Sequence, residues 1–274
     1  MSHPGPDEID IAPEVAHPAR VYDYALGGHD NFAVDRDTVD HAAAVESRGI
    51  DHTKAAVQAD HAFLARSVTY LTADVGIRQF LDIGPGTPTA DTTHEIAQRL
   101  APESRIVHAN DDPLVLAHAH TLRRSTPGGS AAYIHADVRD PDAILERARA
   151  TLDFDAPIGI VLVAILHHID DHDDPHGIVA RFVDAVPPGS YLVVSHLASD
   201  VDVEEIVEAA RRVNEQPGFV LRLRTHAEIT RFFDGVELLP PGVVTADRWH
   251  PPKAEPPPPD PWPIPFCVGV GRKP

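Results

Sequence analysis

Gln79-Phe80-Leu81-Asp82-Ile83-Gly84-Pro85-Gly86-Thr87-Pro88-Thr89 is the stretch that decides the fold. An apolar run ends at an acid, turns through Gly-x-Gly and feeds a helical pattern at about 90–100, which is a strand, a tight loop and a helix in succession. Four more apolar runs follow at 105–109, 132–136, 158–165 and 190–195. Helix candidates near 113–124, 141–151, 175–186 and 202–214 lie between or after them. Strands alternating with helices imply βαβ units and a mostly parallel sheet covered on both faces. The run 158–165 is the most continuously apolar and is expected at the centre. Further on, a helix near 225–234 leads to Val236-Glu237-Leu238-Leu239 and Val243-Val244-Thr245, read as a strand, and Phe266-Cys267-Val268-Gly269-Val270 reads as the closing strand. Residues 240–274 hold 12 of the 27 prolines, and Pro256-Pro257-Pro258-Pro259 must be extended. Upstream, Val57, Leu64, Val68, Leu71 and Val75, with Phe63 beside them, mark one face of a long amphipathic helix. The expected organisation is a mobile segment 1–19, a helical extension 20–76 and an α/β domain 77–274.

Composition narrows the partners. With 274 residues, 43% of them apolar, the chain can bury a full core. Its 23 basic residues against 42 acids give a net charge of −19, and only Lys54, Lys253 and Lys273 are lysines. Such a chain is a poor match for phosphate backbones, whose affinity for proteins comes largely from Lys and Arg. One cysteine, Cys267, excludes an internal disulfide and a multi-cysteine metal site. The N-terminus lacks the basic and apolar regions of a signal peptide. The longest apolar run falls short of the roughly 20 residues that span a bilayer. A cytoplasmic protein with a small-molecule partner, no nucleic acid and no membrane is expected; the oligomeric state is not legible.

Ligands of open α/β sheets bind outside the carboxyl ends of the strands. Glycines at 84 and 86 let a ligand approach the backbone. A nicotinamide fingerprint would place a third glycine where Thr89 stands. Asp82, two residues before the first glycine, suits an amine-bearing or cationic ligand better than a diphosphate, and S-adenosylmethionine carries an amine and a sulfonium. The second strand ends at Asn110-Asp111-Asp112, offering acceptors to ribose hydroxyls, and the third at Asp137-Val138, offering a carboxylate and an amide to adenine. Each acid taken singly reads as a helix cap; three at one sheet edge favour a ligand.

Residues 79–197 resemble a class I S-adenosylmethionine-dependent methyltransferase. Nearly the whole chain resembles an actinobacterial S-adenosyl methyltransferase family first catalogued as a domain of unknown function. The resemblance rests on Pro18-Ala19-Arg20-Val21-Tyr22-Asp23-Tyr24-Ala25-Leu26-Gly27-Gly28-His29-Asp30-Asn31-Phe32, on Thr93-His94-Glu95-Ile96-Ala97-Gln98, on Asp112-Pro113-Leu114-Val115-Leu116-Ala117-His118-Ala119, on Ala164-Ile165-Leu166-His167-His168-Ile169 and on Pro188-Gly189-Ser190-Tyr191-Leu192-Val193-Val194-Ser195-His196. It implies a Rossmann-like, seven-stranded sheet with an antiparallel last strand. It implies cofactor contacts near Asp82, Gly84 and Gly86 for the methionine end, at Asn110, Asp111 and Asp112 for the ribose, and at Asp137 and Val138 for adenine, with Thr87 and Ala164 as further cofactor contacts. Relatives usually carry Asp where this chain has Asn110, which cannot offer two carboxylate acceptors.

Two further groups of residues invite a role. Tyr22, Tyr24, Gly27, Gly28, Asp30 and Asn31 form a turn between helices, read either as a lid over the methionine end and acceptor pocket or as a capped connection with the tyrosines in the core. His167 and His168 sit where the fourth strand empties into the cleft, as a catalytic base for a hydroxyl acceptor or as buried, hydrogen-bonded histidines. The run Asp170 to His176 matches no metal-ligand spacing and reads as an acidic loop capping the next helix. Trp249, His250 and Trp262 wall the acceptor pocket or pack in the core. The expected activity is methyl transfer to a small molecule; a non-catalytic cofactor-binding protein and an NAD(P)-dependent oxidoreductase are the rivals.

Overall fold

A computed structural model describes residues 12–45, 47–86, 91–115, 128–216, 219–251 and 262–274. The expected Thr87 contact, the expected helix beyond residue 115 and the run of four prolines lie outside these residues. Five parallel strands form the centre: β1 (Gln79–Ile83), β2 (Arg105–Asn110), β3 (Ser130–His135), β4 (Gly159–Leu162) and β5 (Tyr191–Leu197). The segment read as one strand near 236–245 is two short ones, β6 (Glu237–Leu238) and β7 (Val244–Thr245). Pro240 and Pro241 between them have no N–H to give a ladder, and a tight turn from Leu239 to Gly242 separates the pieces. The closing strand β8 (Phe266–Arg272) runs antiparallel to β5 over seven residue pairs. The order is β3-β2-β1-β4-β5-β8-β6, with β7 also on β8, so the expected seven-stranded sheet carries one additional two-residue strand.

Side chains alternate across each strand, which divides the core in two. Leu81, Val107, Ile160 and Leu192 face one side, with Ile144 of α5 (Pro141–Ala148) and Phe182 of α6 (Pro175–Ala185). Phe80, Ile106, Val161 and Val193 face the other, under Phe63 and Val68 of α3 (Gly49–Tyr70) and Ile96 of α4 (Thr93–Leu100). The anticipated stripe on α3 is thus a packing face, continuing into a π-turn that ends at Gly76. Among the described residues no helix is long and apolar enough to cross a membrane.

Two helices precede α3: α1 (Pro18–Leu26) and α2 (Ala33–Ala43). Pro18 supplies the preset first turn, the His17 ring accepts from the Ala19 amide, and Gly27 ends the helix with φ of 88°. Helix α1 begins inside the segment expected to be mobile. Ala16 and Ala19 are buried, and the His17 amide donates to Asp35 Oδ1 at 2.9 Å. These are contacts that a free tail does not make. Helices α7 (Val203–Val213) and α8 (His226–Thr230) complete the frame.

Candidate active site

The carboxyl ends of β1 to β4 open into a cavity of about 280 Å³. Asp82, Gly84, Gly86, Asn110, Asp111, Asp137, Val138, Ala164 and His168 all line it, and α1 closes the opposite wall with Pro18, Ala19, Tyr22 and Asp23. Gly84 has φ of 71°, and a Cβ there would stand 2.6 Å from the Ile165 side chain, so glycine is demanded twice over. At Gly86 a Cβ would meet only Ala19 O at 3.7 Å and Tyr22 Cδ1 at 3.8 Å, which shows how closely α1 covers the loop. Ala164 leaves β4 with φ of 56°. That turn ends the strand at Leu162, short of the expected 165, and lets the Ala164 amide donate to Ser195 Oγ at 2.8 Å.

The acids at the strand ends differ in their partners. Asp82 is buried opposite His108, and His108 Nδ1 lies 3.0 Å from its Oδ2. His108 Nε2 meets His94 Nδ1 at 3.1 Å. Burial and the neighbouring His108 push His94 down to about 4, so His94 adds no positive charge behind this pair. Asn110 Oδ1 accepts from the Asp112 amide at 2.6 Å, and its Nδ2 donates to Pro85 O. The second bond needs an amide, so Asn110 braces the glycine loop where a carboxylate could not. Asp111 is half-exposed beside His17; burial pushes its carboxyl up, and the hydrogen bond and charge of His17 pull it below its ordinary value. Asp112 does not line the cavity. It is fully buried in an ion pair with Arg20 Nε at 3.2 Å and fastens α1 to the end of β2. Both Asp137 oxygens accept from Arg139, whose guanidinium also reaches Asp173 and His168 O.

Of the six residues expected to form the turn, Tyr22 and Tyr24 lie within α1 instead, and Tyr22 alone lines the cavity. The Tyr24 hydroxyl faces Asp40 at 3.4 Å. Buried Asp23 organises the rest, because its Oδ2 accepts from the Asp30 amide and from Asn31 Nδ2, both at 2.8 Å. A Cβ on Gly28 would fall 2.1 Å from Asp23 Oδ1. His167 is buried and does not line this cavity, whereas His168 does. His168 Nδ1 meets Val220 O at 2.8 Å; a carbonyl only accepts, so the lone pair sits on Nε2. Burial lowers His168 to about 4, keeping it neutral. Trp249 lies in the core with its ring edge on Phe63, and Trp262 packs on His52; neither lines the cavity.

A family model described as S-adenosyl methyltransferase matches residues 2–274. The chain belongs to that family. A DUF574-family protein of Streptomyces avermitilis MA-4680 is 39% identical over 97% of this chain and 100% of its own, with a TM-score of 0.88. A protein of Thermobifida fusca YX, provisionally assigned as a methyltransferase, is 36% identical over 96% and 97%, with a TM-score of 0.85. A SAM-dependent methyltransferase of Anabaena variabilis ATCC 29413 shares the fold at 15% identity, covering 78% of this chain and 86% of its own, with a TM-score of 0.51. No curated protein matches. This methyltransferase therefore uses S-adenosylmethionine on a Rossmann-like class I frame. The cavity fits such a cofactor. Its lining carries Asp23, Asp82, Asp111 and Asp137, while Arg139 is already paired with carboxylates. Such walls favour a sulfonium and an amine and oppose a diphosphate.

Several residues around the candidate site lie outside the motifs. Asp60 of α3 is fully buried and accepts from the Tyr22 hydroxyl at 3.0 Å. Burial pushes its carboxyl up to about 7, against the opposing pull of Ser195 and Tyr22. Its place on the apolar stripe between Val57 and Leu64 was the available signal. Buried Arg224 donates to Leu166 O, Ile169 O and Asp171 and so fixes the His167–His168 loop. Away from this site, His52, Asp202 and Glu205 place ligand-type atoms within 4.8 Å of one another. Arg48 already pairs with Asp202 at 2.7 Å, and His52 Nε2 is engaged by Pro263 O.

Proposed function

We propose that the strand-end cavity holds S-adenosylmethionine, with its methionine end between Asp82, Gly84 and Ala164, its ribose at Asp111 and its adenine against Val138, and that the acceptor is a small molecule. The observation that carries this reading is the convergence of Asp82, Asp111 and Asp137, from three adjacent parallel strands, on one cavity roofed by Tyr22. The cofactor, when bound, supplies a methyl group already activated on a sulfonium. The protein's part is alignment and exclusion of water, for which good positioning contributes about 7–11 kcal/mol of barrier lowering. Asp82, held by His108, fixes one end; Tyr22, anchored on Asp60, covers the glycine loop; and His168 presents an accepting Nε2. A net charge of −19 supports a small acceptor over a nucleic acid.

Calorimetric titration with S-adenosylhomocysteine tests the placement. Saturable binding is expected, together with a loss of tenfold or more in Asp111→Asn, about 1.4 kcal/mol. Absence of binding, or stabilisation by NAD⁺ in its place, overturns it.

A further inference from the structure

A second cavity, of about 130 Å³, lies between α1, α2, α3, α7 and the carboxyl end of β5. Pro18, Tyr22 and His168 line both cavities and form the partition between them. The remaining walls are nearly all apolar, with Val39, Val57, Leu197, Ile206 and Phe266 among them. Among the described residues no Asp, Glu, Lys or Arg lines this space, in a chain that has 42 acids. An ion placed there would lose its hydration without meeting a counter-charge among the lining side chains. An apolar cavity of roughly 150 Å³ accommodates benzene, so there is room for one six-membered ring. The polar side chains on its walls are Thr38, His52 and Thr53 from α2 and α3, and His167 and His168 beyond the end of β4. His168 Nδ1 is engaged by Val220 O, leaving Nε2 to accept. His167, 3% exposed, also lines the cavity, and its Nδ1 is buried with no hydrogen-bond partner.

We propose that this cavity receives the methyl acceptor, and that the acceptor is an uncharged, ring-sized, largely apolar molecule presenting a hydroxyl or neutral amine at the Tyr22–His168 partition. The proposal rests on the cofactor placement given above. In the transfer, the lone pair of the acceptor's heteroatom forms the bond to the methyl carbon. The electron pair of the breaking carbon–sulfur bond stays on sulfur, and the proton of the heteroatom passes to His168 Nε2 and on to water.

Fluorine NMR on the full chain loaded with S-adenosylhomocysteine tests it, with 4-fluorophenol as the probe and 4-fluorobenzoate and 4-fluorobenzylammonium as charged counterparts. The phenol is expected to bind saturably and at least tenfold more tightly than either ion. Filling the cavity from two different walls, with Ala209→Phe or Ala42→Trp, is expected to weaken phenol binding tenfold or more while calorimetric affinity for S-adenosylhomocysteine stays within twofold. If S-adenosylhomocysteine binds but the phenol does not, or all three probes bind alike, or the phenol still binds equally to both filled variants, the acceptor assignment is wrong and the cofactor placement survives. If S-adenosylhomocysteine itself fails to bind the wild-type protein, both fall.

Discussion

The two cavities share a wall and differ in almost everything else. The larger one is built from charge: Asp82 backed by His108, Asp137 gripped by Arg139, and a roof fastened by the buried Arg20–Asp112 pair. The smaller one is built mainly from apolar side chains and has no Asp, Glu, Lys or Arg among its described lining residues. The contrast teaches that one sheet edge can prepare two dielectric environments side by side. A cationic ligand is stabilised by fixed carboxylates in the first, while the second rejects ions through the loss of their hydration. The partition between them is Pro18, His168 and Tyr22, the last steadied by Asp60.

The largest blow to this arrangement should come from Arg20→Ala. It leaves Asp112 buried without its guanidinium partner, with the His17 ring and the Leu114 amide beside it, and removing one partner of a buried ion pair typically costs about 3–5 kcal/mol. Urea unfolding should show that loss, and affinity for S-adenosylhomocysteine should fall with it because α1 is the roof. Asp60 probes the partition. Its folded value of about 7 stands above the ordinary carboxylate value. The folded protein therefore keeps a proton that the unfolded chain releases near pH 4, and wild-type stability declines as pH rises from about 4 through 7. Asp60→Asn does not titrate, so its stability relative to wild type should grow across that window, with a ceiling on the order of 4 kcal/mol above pH 7. A flat difference between pH 4 and 8 would contradict the role given to Asp60. Gly84→Ala acts on the charged cavity alone. Its left-handed backbone and the contact with Ile165 should cost about 1–2 kcal/mol and roughly tenfold in S-adenosylhomocysteine affinity. Tyr24→Phe should change stability by less than about 0.5 kcal/mol and cofactor affinity not at all, since its exposed contact with Asp40 touches neither cavity. A marked loss of affinity there would return Tyr24 to the site.

The sheet was legible because burial on two faces imposes continuous apolar runs, and the loop because glycine and acid stand in a fixed order at a strand end. Asn110, Asp111 and Asp112 show where such reading stops. Side by side they look interchangeable, yet Asn110 lines the cavity while bracing a loop, Asp111 lines it beside His17, and Asp112 is sealed by an arginine from α1. Their division of labour is set by Arg20, far away in the chain, and no local pattern carries that information. Asp60 and His108 are different. Each breaks an apolar periodicity at a core-facing position, and an ionisable residue there signals a built polar contact. The acceptor cavity was invisible to motif reading because its walls are mostly ordinary core residues from at least six elements, identifiable only by the space left between them.

One consequence of the shared wall concerns traffic. Helix α1 contributes Pro18 and Tyr22 to both chambers, so any movement of α1 that frees one product loosens the seat of the other. Departure of the methylated product and of the spent nucleoside should be kinetically linked, and inhibition patterns by the two products should betray a compulsory sequence rather than independent exits.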